Sequence, residues 1–428
     1  MKILHVSFGD ANGGAARAAY RIHRALVDNG THSRMRVLHS GTGDSTVSIG
    51  KPRILIKRIW GRVYKRLLEQ SRRGWHTDNP VLHSFGQVSA NLVDELNNSD
   101  ADILHLHWVS GMLSVVDIGR LRKPLVWTLH DMWAFCGGEH YAPDDNGARF
   151  RVGYNLNNRP LGERGPDLNR KTWLAKQRAW ARQRFTIVSP SHWLAECVQS
   201  SVLLRKHAVH IVANPLDTDF PWRPVPQDVA RAALGLSQSA KLILTGAVGG
   251  MCDPRKGGDL LRAAVDRVMQ QMPQGEIRLV IFGQYGNTNT APWPCPVDWL
   301  GEVRDDRVLA LAYAAADVMV VPSIQDVLPQ TASEAQACGT PVVAFNTGGL
   351  RDIVHHQKTG WLATAFDTES LGFGMEWILK DTNRLKVLRE CARKTALAQF
   401  SQNIISKEHL TIYDKVIGCS EKSMIHIK

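Results

Sequence analysis

Short apolar runs alternate along the chain with amphipathic stretches of helical period. KILHVSFG (residues 2–9) is apolar at consecutive positions, as a strand buried on both faces of a parallel sheet must be. ANGGAARAAYRIHRALVDNG (11–30) then places a Gly-rich turn before an amphipathic helix that stops at Gly30. Four more runs read as strands, RMRVLHS (34–40), ADILHLHW (101–108), PLVWTLHD (124–131) and FTIVSPS (185–191), with helical SANLVDELNN (89–98) and HWLAECVQSS (192–201) among them. After the Pro-rich stretch HIVANPLDTDFPWRPVP (210–226) the alternation restarts. KLILTGAVGG (241–250), RLVIFGQ (278–284), VMVVPS (318–323) and PVVAFN (341–346) are separated by DLLRAAVDRVMQQM (259–272), RVLALAYAAA (307–316) and ASEAQAC (332–338).

This predicts an α/β protein of two Rossmann-like, doubly wound domains, residues 1–205 and 206–395. Residues 396–428 are expected to form a C-terminal helix that packs back on the first domain. A length of 428 residues is more than one hydrophobic core usually serves, which agrees with two domains. The polar stretch 138–172 has no clear period and lies close to His130, so it is expected to be a lid.

Composition adds less. No apolar run approaches the roughly 20 residues of a membrane span, and the chain opens without an apolar leader, so a cytoplasmic location is expected. Seven scattered cysteines show no CxxC pair, which argues against a disulfide framework or a structural zinc. The net charge of +12 draws anionic partners without choosing among them. Residues 51–73, KPRILIKRIWGRVYKRLLEQSRR, combine dense Lys and Arg with apolar positions at helical spacing, so contact with an anionic membrane surface is expected there.

Candidate chemistry falls at strand ends. Arg255 and Lys256 lie between a strand and a helix, where cations and helix N-terminal amides hold phosphate. Gly13 and Gly14 lack a Cβ and let an anion approach the backbone, although GDANGGAAR lacks the spacing of the dinucleotide fingerprint. Glu334 is expected to begin the ASEAQAC helix, where a carboxylate accepts two hydroxyl hydrogen bonds or simply favours the helix dipole. Asp100 with Asp102, and Asp217 with Asp219, spell DxD, but one pair precedes a strand and the other lies in the linker, so both read as structural. His105 and His107 read as strand residues of the core.

The combination resembles glycosyltransferase family 4: Asp326, seven residues, Glu334, then AQACGTPVVAFNTGG, together with TLHD (128–131), VSPSHWLAE (188–196), VANPLDTDF (212–220) and PRKG (254–257). The resemblance implies a GT-B fold of two facing domains and a retaining enzyme that takes a nucleotide diphosphate sugar as donor and a glycan or lipid-linked acceptor, as in bacterial surface polysaccharide synthesis. By match, Glu334 binds the nucleotide ribose, and Lys256 neutralises the diphosphate with Arg255 beside it. Asp326 accepts from donor-sugar hydroxyls, one methylene shorter than the family's glutamate. Gln330 and Thr331 offer backbone amides, His130 lines the sugar pocket, and Gly13 and Gly14 border the donor phosphate and the acceptor. No metal or other cofactor and no nucleic-acid partner is implied. The readings set beside this one are an isomerase like the UDP-sugar 2-epimerases and a non-catalytic basic module that binds nucleic acid.

Overall fold

The computed structural model describes residues 1–50, 73–246, 253–272, 275–284 and 292–425. The basic stretch 51–73 therefore lies, except for Arg73, outside the described residues, as does the AVGGMC segment before Asp253. The chain divides into two compact units, Met1–Val212 with Ser406–Lys428, and Ala213–Ile405.

The first unit is built on a seven-stranded sheet of order β3-β2-β1-β4-β5-β6-β7. Its strands are β1 (Lys2–Val6), β2 (His32–Val37), β3 (Val47–Ile49), β4 (Ile103–Leu106), β5 (Leu125–Thr128), β6 (Phe185–Ser189) and β7 (Ala208–Ile211). Every ladder is parallel. The Gly14–Asp28 helix crosses from β1 to β2 and buries Ala16, Ala19, Ile22 and Leu26. The unit ends at Val212 rather than near residue 205, because the half-exposed run AVHI forms the edge strand β7 beside β6.

The second unit carries six parallel strands in the order β10-β9-β8-β11-β12-β13. They are β8 (Lys241–Gly246), β9 (Ile277–Phe282), β10 (Val297–Gly301), β11 (Val318–Val321), β12 (Val342–Phe345) and β13 (Gly360–Ala363). Leu261, Ala264, Val265 and Val268 of the Gly258–Gln271 helix share one apolar core with Ile243, Leu279, Val320 and Val343. In each unit the strand order reverses beside the first strand, between β1 and β4 and between β8 and β11. Loops that diverge at such a reversal leave a crevice at the carboxyl ends of the strands.

The C-terminal region departs from the expected single helix starting at 396. The Thr382–Phe400 helix runs on to Phe400, Ser401 breaks it in an extended conformation, and a new helix spans Gln402–Ile425. Packing back begins at Ser406, where the helix joins the first unit. There Tyr413 is fully buried and its hydroxyl bonds His105 Nδ1 at 2.7 Å.

The polar stretch 138–172 is not a free lid. Phe150 packs edge-on against Phe135, Tyr154 stacks on Trp173, and Gly138 donates its N–H to Asn169 Oδ1 at 3.0 Å. Lys176, on the Leu168–Ala179 helix, is fully buried, and its Nζ donates to the carbonyls of Trp133, Cys136 and Gly137. Burial pushes that amine down to about 7, yet three carbonyl acceptors suit its three protons. Lifting residues 138–172 away would strip the Phe135 and Trp173 rings of their partners.

A layer of imidazoles fills the first unit beside the reversal. His5 on β1 pairs in register with His105 on β4, and the strand period of two puts His107 on the same face. His23 comes from the Gly14–Asp28 helix and His409 from the C-terminal helix, and all five rings are buried. Burial lowers His23 to about 4 and His409 to about 3, and drives His5, His105 and His107 well below the ordinary 6.5. The unfolded chain therefore binds more protons below pH 6.5, so stability is complete above that value and is lost as the pH falls. Five such rings correspond to about 7 kcal/mol per pH unit once all are charged in the unfolded state. Urea unfolding midpoints of the first unit should drop steeply from pH 7 to pH 5, whereas a flat profile over that interval contradicts neutral buried rings.

Candidate active site

In the second unit the site is assembled from three loops at the reversal between β8 and β11. Asp253 accepts from the Arg255 N–H at 3.0 Å, Pro254 opens a short 3-10 turn, and Gly257 closes it in the left-handed region at φ 67°. A Cβ on Gly257 would lie 2.0 Å from the carbonyl oxygen of Pro322, so glycine alone lets this turn rest on the end of β11. Ile324 N–H donates to the Arg255 carbonyl at 2.7 Å, and Gly349 N–H donates to the Asp326 carbonyl at 3.0 Å. The loop after β11 is thus clamped by the PRKG turn on one side and by the Gly-Gly turn after β12 on the other.

That clamp brings Lys256 Nζ to 2.5 Å from Asp326 Oδ2, both side chains being mostly covered. Gln330 and Thr331 form the first turn of the Gln330–Ala337 helix, entered through Pro329, so their amides belong to the group for which a helix has no internal acceptor. Glu334 does not start this helix. It sits in the second turn at 3% exposure, and its Oε2 accepts from the hydroxyl of buried Tyr313 at 2.9 Å. The dipole reading of Glu334 fails on this placement, because the dipole acts at the first turn. Burial, then the Glu334 charge, push the Cys338 thiol well above its usual value. Arg255 Nη2 pairs with Asp253 Oδ2 at 2.5 Å, a carboxylate of its own turn.

In the first unit Gly13 takes φ 90° immediately before the Gly14–Asp28 helix, and a Cβ there would meet no atom within 4 Å. The space on its Cβ side, at a helix N-terminus, is thus open among the described residues. The loop leading to it is held by Asp10, whose carboxylate accepts from Ser40 Oγ, the Gly41 N–H and Thr42 Oγ1, each at 2.7 Å. Burial raises that carboxyl, but these bonds outweigh it and hold the pKa below the ordinary value. His130 follows β5, and its Nε2 lies 3.1 Å from His107 Nδ1. Burial lowers His130 to about 4 despite the charge of Asp131, so it serves at neutral pH as a hydrogen-bonding group and not as a cation.

Residues 12–220 match the family model described as Glycosyltransferase Family 4, and residues 243–381 match the one described as Glycosyl transferases group 1. The chain carries glycosyltransferase Family 4 and group 1 domains. The transferase is 27% identical over 337 residues to the D-inositol 3-phosphate glycosyltransferase of Jonesia denitrificans, spanning 73% of this chain and 72% of that one. Anabaena Alr3699/HepE, solved in complex with UDP-glucose, superposes with a TM-score of 0.66 at 16% identity, over 97% of this chain and all of that one. Sucrose-phosphate synthase from Thermosynechococcus elongatus gives 0.63 at 17% identity over 98% of this chain. At such identities these structures establish the fold, which is GT-B.

The transferase thus joins Lys256 directly to Asp326 and sets Gln330, Thr331 and Glu334 on the helix that follows, while Gly13, Gly14 and His130 belong to the other unit. Tyr313 was not anticipated from the sequence, though a single hydroxyl-bearing ring in the apolar helix RVLALAYAAA is the signal that marks it. Neither DxD joins the site. Asp100 makes exposed ion pairs with Lys2 and Arg34, and Asp217 accepts from the N–H groups of Asp219 and Phe220. Gly257→Ala should destabilise the second unit by about 1–2 kcal/mol through its backbone conformation alone, and further through the clash with Pro322. Gly235 has the same φ of 67° and nothing within 4 Å, so Gly235→Ala measures the first part. Equal losses of thermal stability in the two variants would show that the Pro322 contact does not hold the turn.

Proposed function

We propose that the protein moves a sugar from a nucleotide diphosphate sugar to a glycan or lipid-linked acceptor, with retention of configuration, in the assembly of a surface polysaccharide. The observation that carries this reading is the Lys256–Asp326 pair at the reversal of the second sheet, followed by a helix that buries Glu334. The Lys256 ammonium has three N–H donors and Asp326 takes one, so two are left for diphosphate oxygens. The amides of Gln330 and Thr331 add the partial positive charge of a helix start. Glu334 accepts from the ribose hydroxyls, and Tyr313 fixes its rotamer. Asp326 orients Lys256 and accepts from a sugar hydroxyl. Arg255, paired with Asp253, stiffens the turn that carries Lys256. In the first unit His130 contacts the sugar, and Gly13 and Gly14 leave room for phosphate and acceptor.

As the bond from the anomeric carbon to the β-phosphate oxygen lengthens, negative charge gathers on the leaving diphosphate, where Lys256 and the helix amides stabilise it. The acceptor hydroxyl attacks from the same face and passes its proton to the departing phosphate oxygen, so no side chain need serve as base and no metal is assigned. The relatives named D-inositol 3-phosphate glycosyltransferases support glycosyl transfer, and the UDP-glucose complex of Alr3699/HepE supports a nucleotide-sugar donor. No described helix is long and apolar enough to cross a membrane. A cytoplasmic enzyme touching the inner membrane face through residues 51–73 fits a lipid-linked acceptor.

Incubation with a panel of nucleotide sugars should release nucleoside diphosphate slowly in one case, faster when acceptor and anionic but not neutral vesicles are added. Lys256→Ala and Glu334→Ala should each weaken donor binding or turnover at least about tenfold, close to 1.4 kcal/mol for a charged hydrogen bond. An altered sugar without nucleotide release would identify an isomerase, and wild-type titrations in both variants would remove the site.

A further inference from the structure

Three imidazoles of the first unit form one hydrogen-bonded line, of which the transfer reading uses only the last. His5 Nδ1 lies 2.9 Å from His107 Nε2, and His107 Nδ1 lies 3.1 Å from His130 Nε2. At the inner end His5 Nε2 is buried and meets no hydrogen-bonding group. At the outer end His130 is half-buried, and its Nδ1 makes no hydrogen bond to any described group of the protein.

His5, His105 and His107 also offer ring nitrogens within 4.8 Å of one another, close enough to suggest a metal. Both nitrogens of His105 are already engaged, with Tyr413 Oη and Thr128 Oγ1 at 2.7 Å each, and both of His107 belong to the line. A metal bound by the three would break bonds on two fully satisfied rings. The hydrogen-bonded line accounts for the same atoms without that loss.

Burial keeps His5, His107 and His130 neutral near pH 7, so each ring has one N–H and one lone pair. In a line of neutral rings the choice at one end propagates to the other. A proton on His5 Nε2 would be a buried N–H without an acceptor, which is rarer in folded proteins than an unpaired acceptor. His5 therefore carries its proton on Nδ1 and donates to His107 Nε2. His107 in turn carries its proton on Nδ1 and donates to His130 Nε2, which leaves the His130 proton on Nδ1.

We propose that His5 and His107 are positioning residues that lock His130 as its Nδ1–H tautomer, so that its outward nitrogen is a fixed donor to a ligand oxygen, a sugar hydroxyl or a phosphate. The ligand half of this inference rests on the placement of His130 at the donor sugar, whereas the tautomer is a property of the protein alone. The two parts fail separately.

The test is a long-range ¹H–¹⁵N correlation spectrum of the full-length protein labelled with ¹⁵N-histidine at neutral pH, with His130 assigned from the signal lost in His130→Gln. Nε2 at the position of an unprotonated nitrogen and Nδ1 at that of a protonated one is the expected result. The reverse pattern, or an average of the two, overturns the proposal from the wild-type spectrum, whether or not any variant folds. His5→Leu removes the inner donor and should shift His130 to the averaged pattern, with at least a fivefold fall in kcat/KM. His5→Asn, whose amide N–H can reach the place of Nδ1–H, should restore both. A His5→Leu protein in which His130 stays purely Nδ1–H would overturn the relay. Wild-type kinetics for His130→Gln beside an Nδ1–H spectrum would leave the relay standing and remove His130 from the donor site.

Discussion

The ion pair between Lys256 and Asp326 is the contact around which the second unit's site is arranged. On an open surface such a pair contributes little to stability, typically under about 1 kcal/mol. Its importance here is directional. A lysine side chain is long and loses rotamer freedom when it is held, and the carboxylate holds it where the PRKG turn, the loop after β11 and the start of the Gln330–Ala337 helix converge. Each of those backbone pieces is fixed in turn, by the Gly257 contact with Pro322, the bond from Ile324 to Arg255 and the bond from Gly349 to Asp326. The shorter Asp326 in place of a glutamate suits this arrangement, since a carboxylate on a short stem is held more firmly by its own loop.

The two units solve different electrostatic problems. The second presents a charge, Lys256, together with helix-start amides, which suits a diphosphate that gains charge as it leaves. The first presents neutral groups at its reversal: Gly13 with open space on its Cβ side, and His130 backed by a line of buried imidazoles. The histidines of that layer sit on β1 and β4 because residues two apart share a face, and the C-terminal helix adds His409 and Tyr413 one turn apart. Burying so many titratable rings makes the first unit depend on pH where the second does not have the same reason to.

Much of this was legible in the residue order. The central strands β1, β4, β5, β8, β11 and β12 are continuous apolar runs because both their faces are covered, and the sequence reading found each of them. The four strands it did not find, β3, β7, β10 and β13, are the edges of the two sheets. They are short and partly exposed, and their pairing is decided by neighbours distant in sequence. Glu334 was found by motif but misplaced by helix reasoning, because Pro329 starts the helix earlier and the second turn faces Tyr313. The stretch 138–172 was expected to be a lid because it is polar, lacks a clear period and lies close to His130 in sequence, while Phe150 and Tyr154 anchor it and Lys176, just beyond it, is buried among carbonyls. Spacing cannot show that a single lysine will be capped by three backbone oxygens.

A structure of the protein with an intact nucleotide diphosphate sugar bears most directly on the central claim. A pyrophosphate oxygen within hydrogen-bonding distance of Lys256 Nζ, with the ribose hydroxyls on the Glu334 carboxylate, is the expected result. A nucleotide bound elsewhere, with Lys256 still closed on Asp326 and Glu334 touching only Tyr313, would contradict it.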